Sequence, residues 1–197
     1  MRPFIGAYTL SKSRSGIIYN VVLSKNQMNQ IKIDNASKSD LKEILDLQKE
    51  AYVSEAKIYN DFSIPPLTET IEEIEESFKN HVFLKISLEG EILGSVRAFE
   101  TNGVCQIGRL IVKQTHQNQG FGKRLLNEIE SKFPESEKFE LFTGEKSTKN
   151  LYLYQKCGYK VVRQQKVSQS LTLIFLNKNN KLSTTKYSSG PEKAPGR

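Results

Sequence analysis

Three scarcities narrow the reading first. Among 197 residues there are only two cysteines, Cys105 and Cys157. Two thiols build no disulfide framework, and neither stands in a metal-ligand spacing, so reduced thiols and no metal are expected. Long apolar runs are lacking too. No stretch approaches the roughly 20 residues that cross a bilayer, and the first residues show no unbroken apolar segment of the signal-peptide kind. The expectation is therefore a cytoplasmic protein with no membrane partner. The third scarcity is positive charge in the interior. The formal net charge is +7, but residues 1–27 carry +4 and residues 178–197 carry another +4; taking both from the total leaves −1 for residues 28–177. A basic groove for nucleic acid is not implied, and no nucleic-acid partner is expected.

What is present is enough for one domain with a sizeable core. Both ends read differently from the middle. Residues 1–27 are expected to be an extension, disordered or foreign to the native protein. Residues 178–197, rich in Ser, Thr, Lys, Gly and Pro towards the end, are expected to be a basic tail of the same kind. The domain is placed at 28–177.

Within it the pattern alternates between strand and helix. Residues 30–35 read as a strand. Ser39 is the expected N-cap of a helix that runs to about Val53, with Leu41, Ile44 and Leu45 on its apolar stripe. Residues 54–67, with Pro65-Pro66, read as irregular. Thr70 followed by Glu73 is a capping-box pattern, and Ile71, Ile74 and Phe78 give that helix an apolar face. Its other side carries Glu69, Glu72, Glu73, Glu75 and Glu76, either a solvated face or an attraction for a cation. Strands follow at 82–88 and 91–100, and Asn102-Gly103 is a strong hairpin signal leading into 104–112. Beyond lie a helix carrying Leu125, Leu126, Ile129 and Phe133, a strand at 138–143, a helix at 147–156 ended by Gly158, and two closing strands. The order points to one mixed α+β domain, a mostly antiparallel sheet of about six to seven strands flanked by about four helices.

Residues 105–133 run from a β-branched strand through a polar turn and a glycine pair into an amphipathic helix. Glycines at such a junction let backbone N–H groups come close to an anion, and the open helix N-terminus favours negative charge. Gly120 and Gly122 alone could equally serve a tight turn. With Leu110-Ile111-Val112 before it, Gln117-x-x-Gly120-x-Gly122 resembles the acyl-CoA-binding motif of the GNAT superfamily of N-acetyltransferases. Asn150-Leu-Tyr-Leu-Tyr154, running into Gly158-Tyr159, resembles the second motif of that family. The resemblance extends over about 28–177.

It implies acetyl-CoA as co-substrate. Leu110, Ile111 and Val112 would pair with the pantetheine arm. Gln117, Asn118, Gln119, Gly120, Phe121, Gly122 and Lys123 would cradle the pyrophosphate. Asn150 would bond the pantetheine, and Tyr154 would be the general acid at the thioester sulfur, by direct attack of a primary amine in a ternary complex. The acceptor would be a small-molecule or peptide amine, cationic if the glutamates serve it, and the protein a monomer or homodimer. The alternative is a non-catalytic acyl-CoA-binding or sensing protein of the same fold. Two positions depart from the family pattern: Gln114 stands where Pro is common, and Gln106 where many members carry a Glu base. That leaves Glu100, Glu55 and His81 as candidates for the base. His116 is read as a solvated loop residue.

Overall fold

A computed structural model describes residues 7–13 and 16–180, with side chains from residue 21 onward. Its body is a seven-stranded sheet. The elements in chain order begin with a hairpin, β1 (Ala7–Ser13) and β2 (Gly16–Val22), then α1 (Lys25–Gln30), β3 (Lys32–Asn35), a 3₁₀ turn at Lys38–Asp40 and α2 (Leu41–Tyr59). There follow α3 (Pro65–Thr68), α4 (Ile71–Asn80), β4 (Val82–Leu88), β5 (Glu91–Thr101), β6 (Val104–Val112), a 3₁₀ turn at Gln114–His116 and α5 (Phe121–Ser131). The chain closes with β7 (Lys138–Gly144), α6 (Thr148–Lys156), β8 (Lys160–Lys166) and β9 (Thr172–Asn179). The large sheet has the order β3-β4-β5-β6-β7-β9-β8. Every pairing in it is antiparallel except β6 with β7.

Helices cover both faces, as a sheet with two apolar faces requires. On one side Phe121, Leu125, Leu126 and Ile129 of α5 and Tyr154 of α6 pack with Leu84, Ile86, Val96 and Leu176. On the other, Leu41, Ile44 and Leu45 of α2 and Ile74 of α4 pack on Phe83, Ile92 and Ile111. No helix among the described residues is long and apolar enough to cross a membrane.

The sheet has seven strands, at the upper end of the expected range, but the described helices number six rather than four. One of the extra two is α3, a single turn in the stretch read as irregular; proline sits at its first positions, where its missing N–H costs nothing. The other, α1, falls across the start of the expected domain, and its Ser24–Gln27 capping box is intact. The first long helix also differs. It starts at Leu41 with Asp40, not Ser39, at its N-cap; Ser37 instead caps the 3₁₀ turn before it, its N donating to Asp40 Oδ2 at 2.7 Å. It runs on to Tyr59, where Asn60 takes the left-handed conformation (φ 51°) that ends a helix. Its apolar stripe fades after Leu47, but a polar one takes over. The capping box at Thr70 is as expected: Thr70 N donates to Glu73 Oε2 at 2.8 Å, and Glu73 N donates to Thr70 Oγ1 at 3.2 Å. The sheet extends to Asn179, two residues beyond the expected domain end. Residues 181–197 of the expected tail lie outside the described residues.

Candidate active site

The site is built where the sheet comes apart. β6 and β7 pair only through Val104–Lys138, Cys105–Phe139 and Gln106–Glu140. From Ile107 onward β6 has β5 on one side and, among the described residues, no strand on the other, while β7 keeps β9 on its far edge along its whole length. The free edge at Leu110, Ile111 and Val112 therefore offers backbone N–H and C=O groups to an extended ligand.

A bulge shapes the same stretch. Ser95 pairs with Ile111 but Arg97 pairs with Gly108, so β6 carries one extra residue opposite Val96. Arg109 sits there with φ 51°, a left-handed conformation uncommon for a residue with a side chain. The extra residue reverses the alternation. Cys105 and Ile107 face α5, and so do Leu110 and Val112 after the bulge. Arg109 and Ile111 are turned to the α2 side.

At the end of β6 the 3₁₀ turn leads into α5. Asn118 (φ 62°) and Gly120 (φ 83°) both bend the chain left-handed, and Gly120 is the N-cap of α5 with no side chain capping it. Arg124 N already donates to Gly120 O at 3.0 Å. The preceding amides of Phe121, Gly122 and Lys123 belong to the first turn, whose donors have no intrahelical acceptor. They face the open end of the dipole, an anion-binding arrangement. The side chains of the two loop glutamines are engaged elsewhere: Gln117 Nε2 donates to Val112 O at 3.2 Å, and Gln119 Nε2 donates to Val21 O at 2.6 Å, which ties β2 to this loop. His116, read as solvated, is buried and shares a 2.9 Å hydrogen bond with Thr115 Oγ1.

α6 brings Asn150 and Tyr154 to the opposite side of the gap. Tyr154 is buried, and burial pushes its hydroxyl well above the ordinary tyrosine value, with Tyr52, Glu55 and Cys157 adding to the shift. It stays protonated at any physiological pH. Asn150 Nδ2 lies 3.4 Å from Glu55 Oε1. Glu55 also accepts from Ser147 Oγ.

Glu55 belongs to the polar stripe of α2: Gln48, Tyr52, Glu55 and Tyr59, spaced 4, 3 and 4, hence one face of a helix. Each reaches a different element. Gln48 Nε2 donates to Glu69 Oε2 at 2.6 Å and to Pro66 O at 2.9 Å. Tyr52 lies under the Arg109 guanidinium, 6.0 Å from ring centroid to Cζ, and burial raises its hydroxyl against the opposing pull of Arg109. Tyr59 Oη accepts from Lys146 N at 2.7 Å and passes so close to Gly144 that a Cβ there would lie 2.1 Å from it. Sequence reading singled out Glu55 alone from this face. The 4-3-4 spacing was the available signal.

Glu69, placed by the sequence with the solvated glutamates, is instead buried. Arg97 Nη2 donates to its Oε1 at 2.7 Å, and Arg109 Nε stands 3.7 Å from its Oε2. Burial alone would raise its carboxyl; the bonds from Gln48 and Arg97 and the charges of both arginines outweigh that and hold it below the usual range. Glu69 and Arg109 border a cavity of about 540 Å³ whose other walls include Glu73, Glu76, Ser77 and His81. His81 packs on Phe99 with the rings tilted at 54° and 4.5 Å between centroids, and burial, with Arg97 nearby, lowers its pKa.

The structure thus brings Glu55 and His81 to the gap and its adjoining cavity. Glu100 is elsewhere: it pairs with Cys105 and accepts from Ser136 Oγ at 2.6 Å. That is five residues, roughly 17 Å of strand, from Leu110. Gln106, where a carboxylate was missed, has one across the ladder: its Nε2 donates to Glu140 Oε1 at 3.4 Å. Cys105 is buried and its thiol is pushed up to about 12 by desolvation, with Glu100 and Glu130 adding to the shift, which suits a packed side chain rather than a nucleophile.

The sequence itself matches a known group of proteins. The profile of the acetyltransferase (GNAT) family covers residues 41–159, and the chain belongs to that family. It is 29% identical over 132 residues to UPF0157 protein YqkA of Bacillus subtilis (strain 168), a match that takes in 67% of this chain and 38% of YqkA. The chain thus spans well under half of that relative. Its fold is similar to an N-acetyltransferase from Staphylococcus aureus Mu50, with a TM-score of 0.63, 19% identity, and 77% of this chain and 99% of that one covered. It is also similar to yncA of Salmonella typhimurium, solved with its cofactor acetyl-CoA, at a TM-score of 0.62, 17% identity, and 84% and 100% covered.

Proposed function

We propose that the protein transfers the acetyl group of acetyl-CoA to a primary amine by direct attack. The observation that carries this reading is the juxtaposition of three parts: the free edge of β6 at 110–112, the uncapped start of α5 at Gly120, and the protonated Tyr154 across the gap. The residues fit the co-substrate in kind. An extended amide-bearing arm suits a strand edge, and a pyrophosphate suits the amides of Gly120 to Lys123. That acetyl-CoA occupies the related yncA fold supports the same placement here.

Bound acetyl-CoA supplies a thioester carbonyl. This chain's residues do the rest. Backbone N–H on the β6 edge receives the charge that develops on the carbonyl oxygen. Tyr154 gives its proton to the departing sulfur as the carbon–sulfur bond breaks and the carbon–nitrogen bond forms. The nitrogen sheds a proton, and we assign that task to Glu55, acting directly or through water, because its carboxylate reaches α6, 3.4 Å from Asn150 Nδ2 and one turn before Tyr154. Neither cysteine is needed.

Melting with and without acetyl-CoA tests the cofactor half. At about 100 times its dissociation constant the gain is about 2.7 kcal/mol, a rise of roughly 5–10 °C for a chain of this size. An unchanged melting temperature overturns the reading. Free-thiol release on adding primary amines tests the transfer. Stabilisation without release by any amine makes the protein a non-catalytic acyl-CoA binder.

A further inference from the structure

The buried cluster beside the acceptor cavity is out of charge balance. Arg97 and Arg109 share one carboxylate, Glu69, and one of its oxygens already accepts from Gln48 at 2.6 Å. Two guanidinium nitrogens, Arg97 Nη1 and Arg109 Nε, are shut off from solvent and have no hydrogen-bond acceptor among the described residues. Such orphaned charged donors are rare in folded proteins and costly to keep. Arg109 is nevertheless held there by a backbone in the left-handed region, and it lines the cavity. The neighbouring acids do not supply the missing charge. Glu55 is engaged by Ser147 and Asn150 and makes no ion pair among the described residues. Glu73 caps Thr70, and Glu76 is paired with Lys79, both on the cavity wall formed by α4.

We propose that the acceptor carries a carboxylate as well as its primary amine, an amino-acid type of substrate, and that the carboxylate meets Arg109 from the cavity and so balances the charge of the Arg97–Arg109 cluster. The planar guanidinium fork matches the geometry of a carboxylate, which can accept two parallel N–H bonds from it. A second carboxylate brings the buried cluster to two positive and two negative charges. Glu73 and Glu76 on the cavity wall favour the ammonium end of the same molecule as it enters. The proposal rests on the transferase reading for the fate of the amine, but not for the binding of the acid.

The test compares free amino acids with their α-carboxamides, which keep the amine and lose the charge. Acetyl transfer from acetyl-CoA is followed by thiol release, and melting is measured with each compound in the presence of CoA. For the best acceptor the acid is expected to exceed its amide in kcat/KM by at least about tenfold, and to raise the melting temperature where the amide does not. Arg109→Gln is expected to shrink that ratio to about twofold or less, chiefly through KM. Equal use of acids and amides, or a ratio that survives the substitution, overturns the proposal. If nothing is acetylated but acids still stabilise the protein and amides do not, the transferase reading fails and the carboxylate site stands. If Arg109→Gln does not fold, the acid–amide comparison on the unaltered protein decides.

Discussion

Glu69 shows how much one side chain can decide in this protein. It is the one carboxylate shared by two arginines that lie against Phe83 and Tyr52, and removing its charge leaves both without that anion. Glu69→Gln keeps the shape and loses the charge, so it should destabilise by about 3–5 kcal/mol, read from denaturant midpoints. A cost under about 1 kcal/mol would mean that water screens the cluster. The pH dependence has a definite sign. A carboxyl held below its unfolded value contributes stability that is complete above that value and lost as pH falls through the folded one. The Glu69 contribution should therefore be intact at neutral pH, begin to fade below about pH 4.5 and be absent in Glu69→Gln. Glu55 belongs to the same scale. If it takes the amine proton, Glu55→Gln should lower kcat by about 10²-fold or more, while Glu140→Gln, across from Gln106, should not. The opposite ranking would move the base to Glu140.

At the scale of elements, the informative helix is α2. Its first half is an ordinary apolar stripe, and that much was legible in Leu41, Ile44 and Leu45. Its second half is amphipathic in another sense, apolar residues giving way to Gln48, Tyr52, Glu55 and Tyr59, so the apolar periodicity ends before the helix does. The partners of those four lie 18 to 95 positions away, so no local pattern marks them. The opposite holds for the junction at Gly120 and for the run from Asn150 to Gly158, where neighbours in sequence are also neighbours in the site; both were legible. The bulge at Arg109 was not, since nothing in Gly-Arg-Leu sets a register that only pairing with β5 defines. Glu69 was not either, since it lies two residues before Ile71, outside the helix of solvated glutamates, and its partners Gln48, Arg97 and Arg109 are distant in sequence. Gly144 gives this scale its prediction. A methyl group there would meet the Tyr59 hydroxyl at 2.1 Å, so Gly144→Ala should push the end of α2 off β7, costing about 1–3 kcal/mol and raising the KM for acetyl-CoA. Unchanged kinetics would show that α2 plays no part in closing the gap.

For the whole molecule, the parts of the site come from distant stretches that the sheet gathers at one split: α2 and α4 on one face, α5 and α6 on the other, β6 and β7 between. The side proposed for the co-substrate is mostly backbone, at the β6 edge and the start of α5, while the cavity side is built of side chains, Glu69 and Arg109 among them. The central claim is that this arrangement performs acetyl transfer with Tyr154 as the proton donor. Single-turnover transfer from acetyl-CoA to a primary amine, in the unaltered protein and in Tyr154→Phe, tests it most directly. The account predicts a rate lower by about 10²-fold or more in the variant, with the dissociation constant for acetyl-CoA changed by no more than about twofold. A variant that transfers acetyl at the unaltered rate would contradict it.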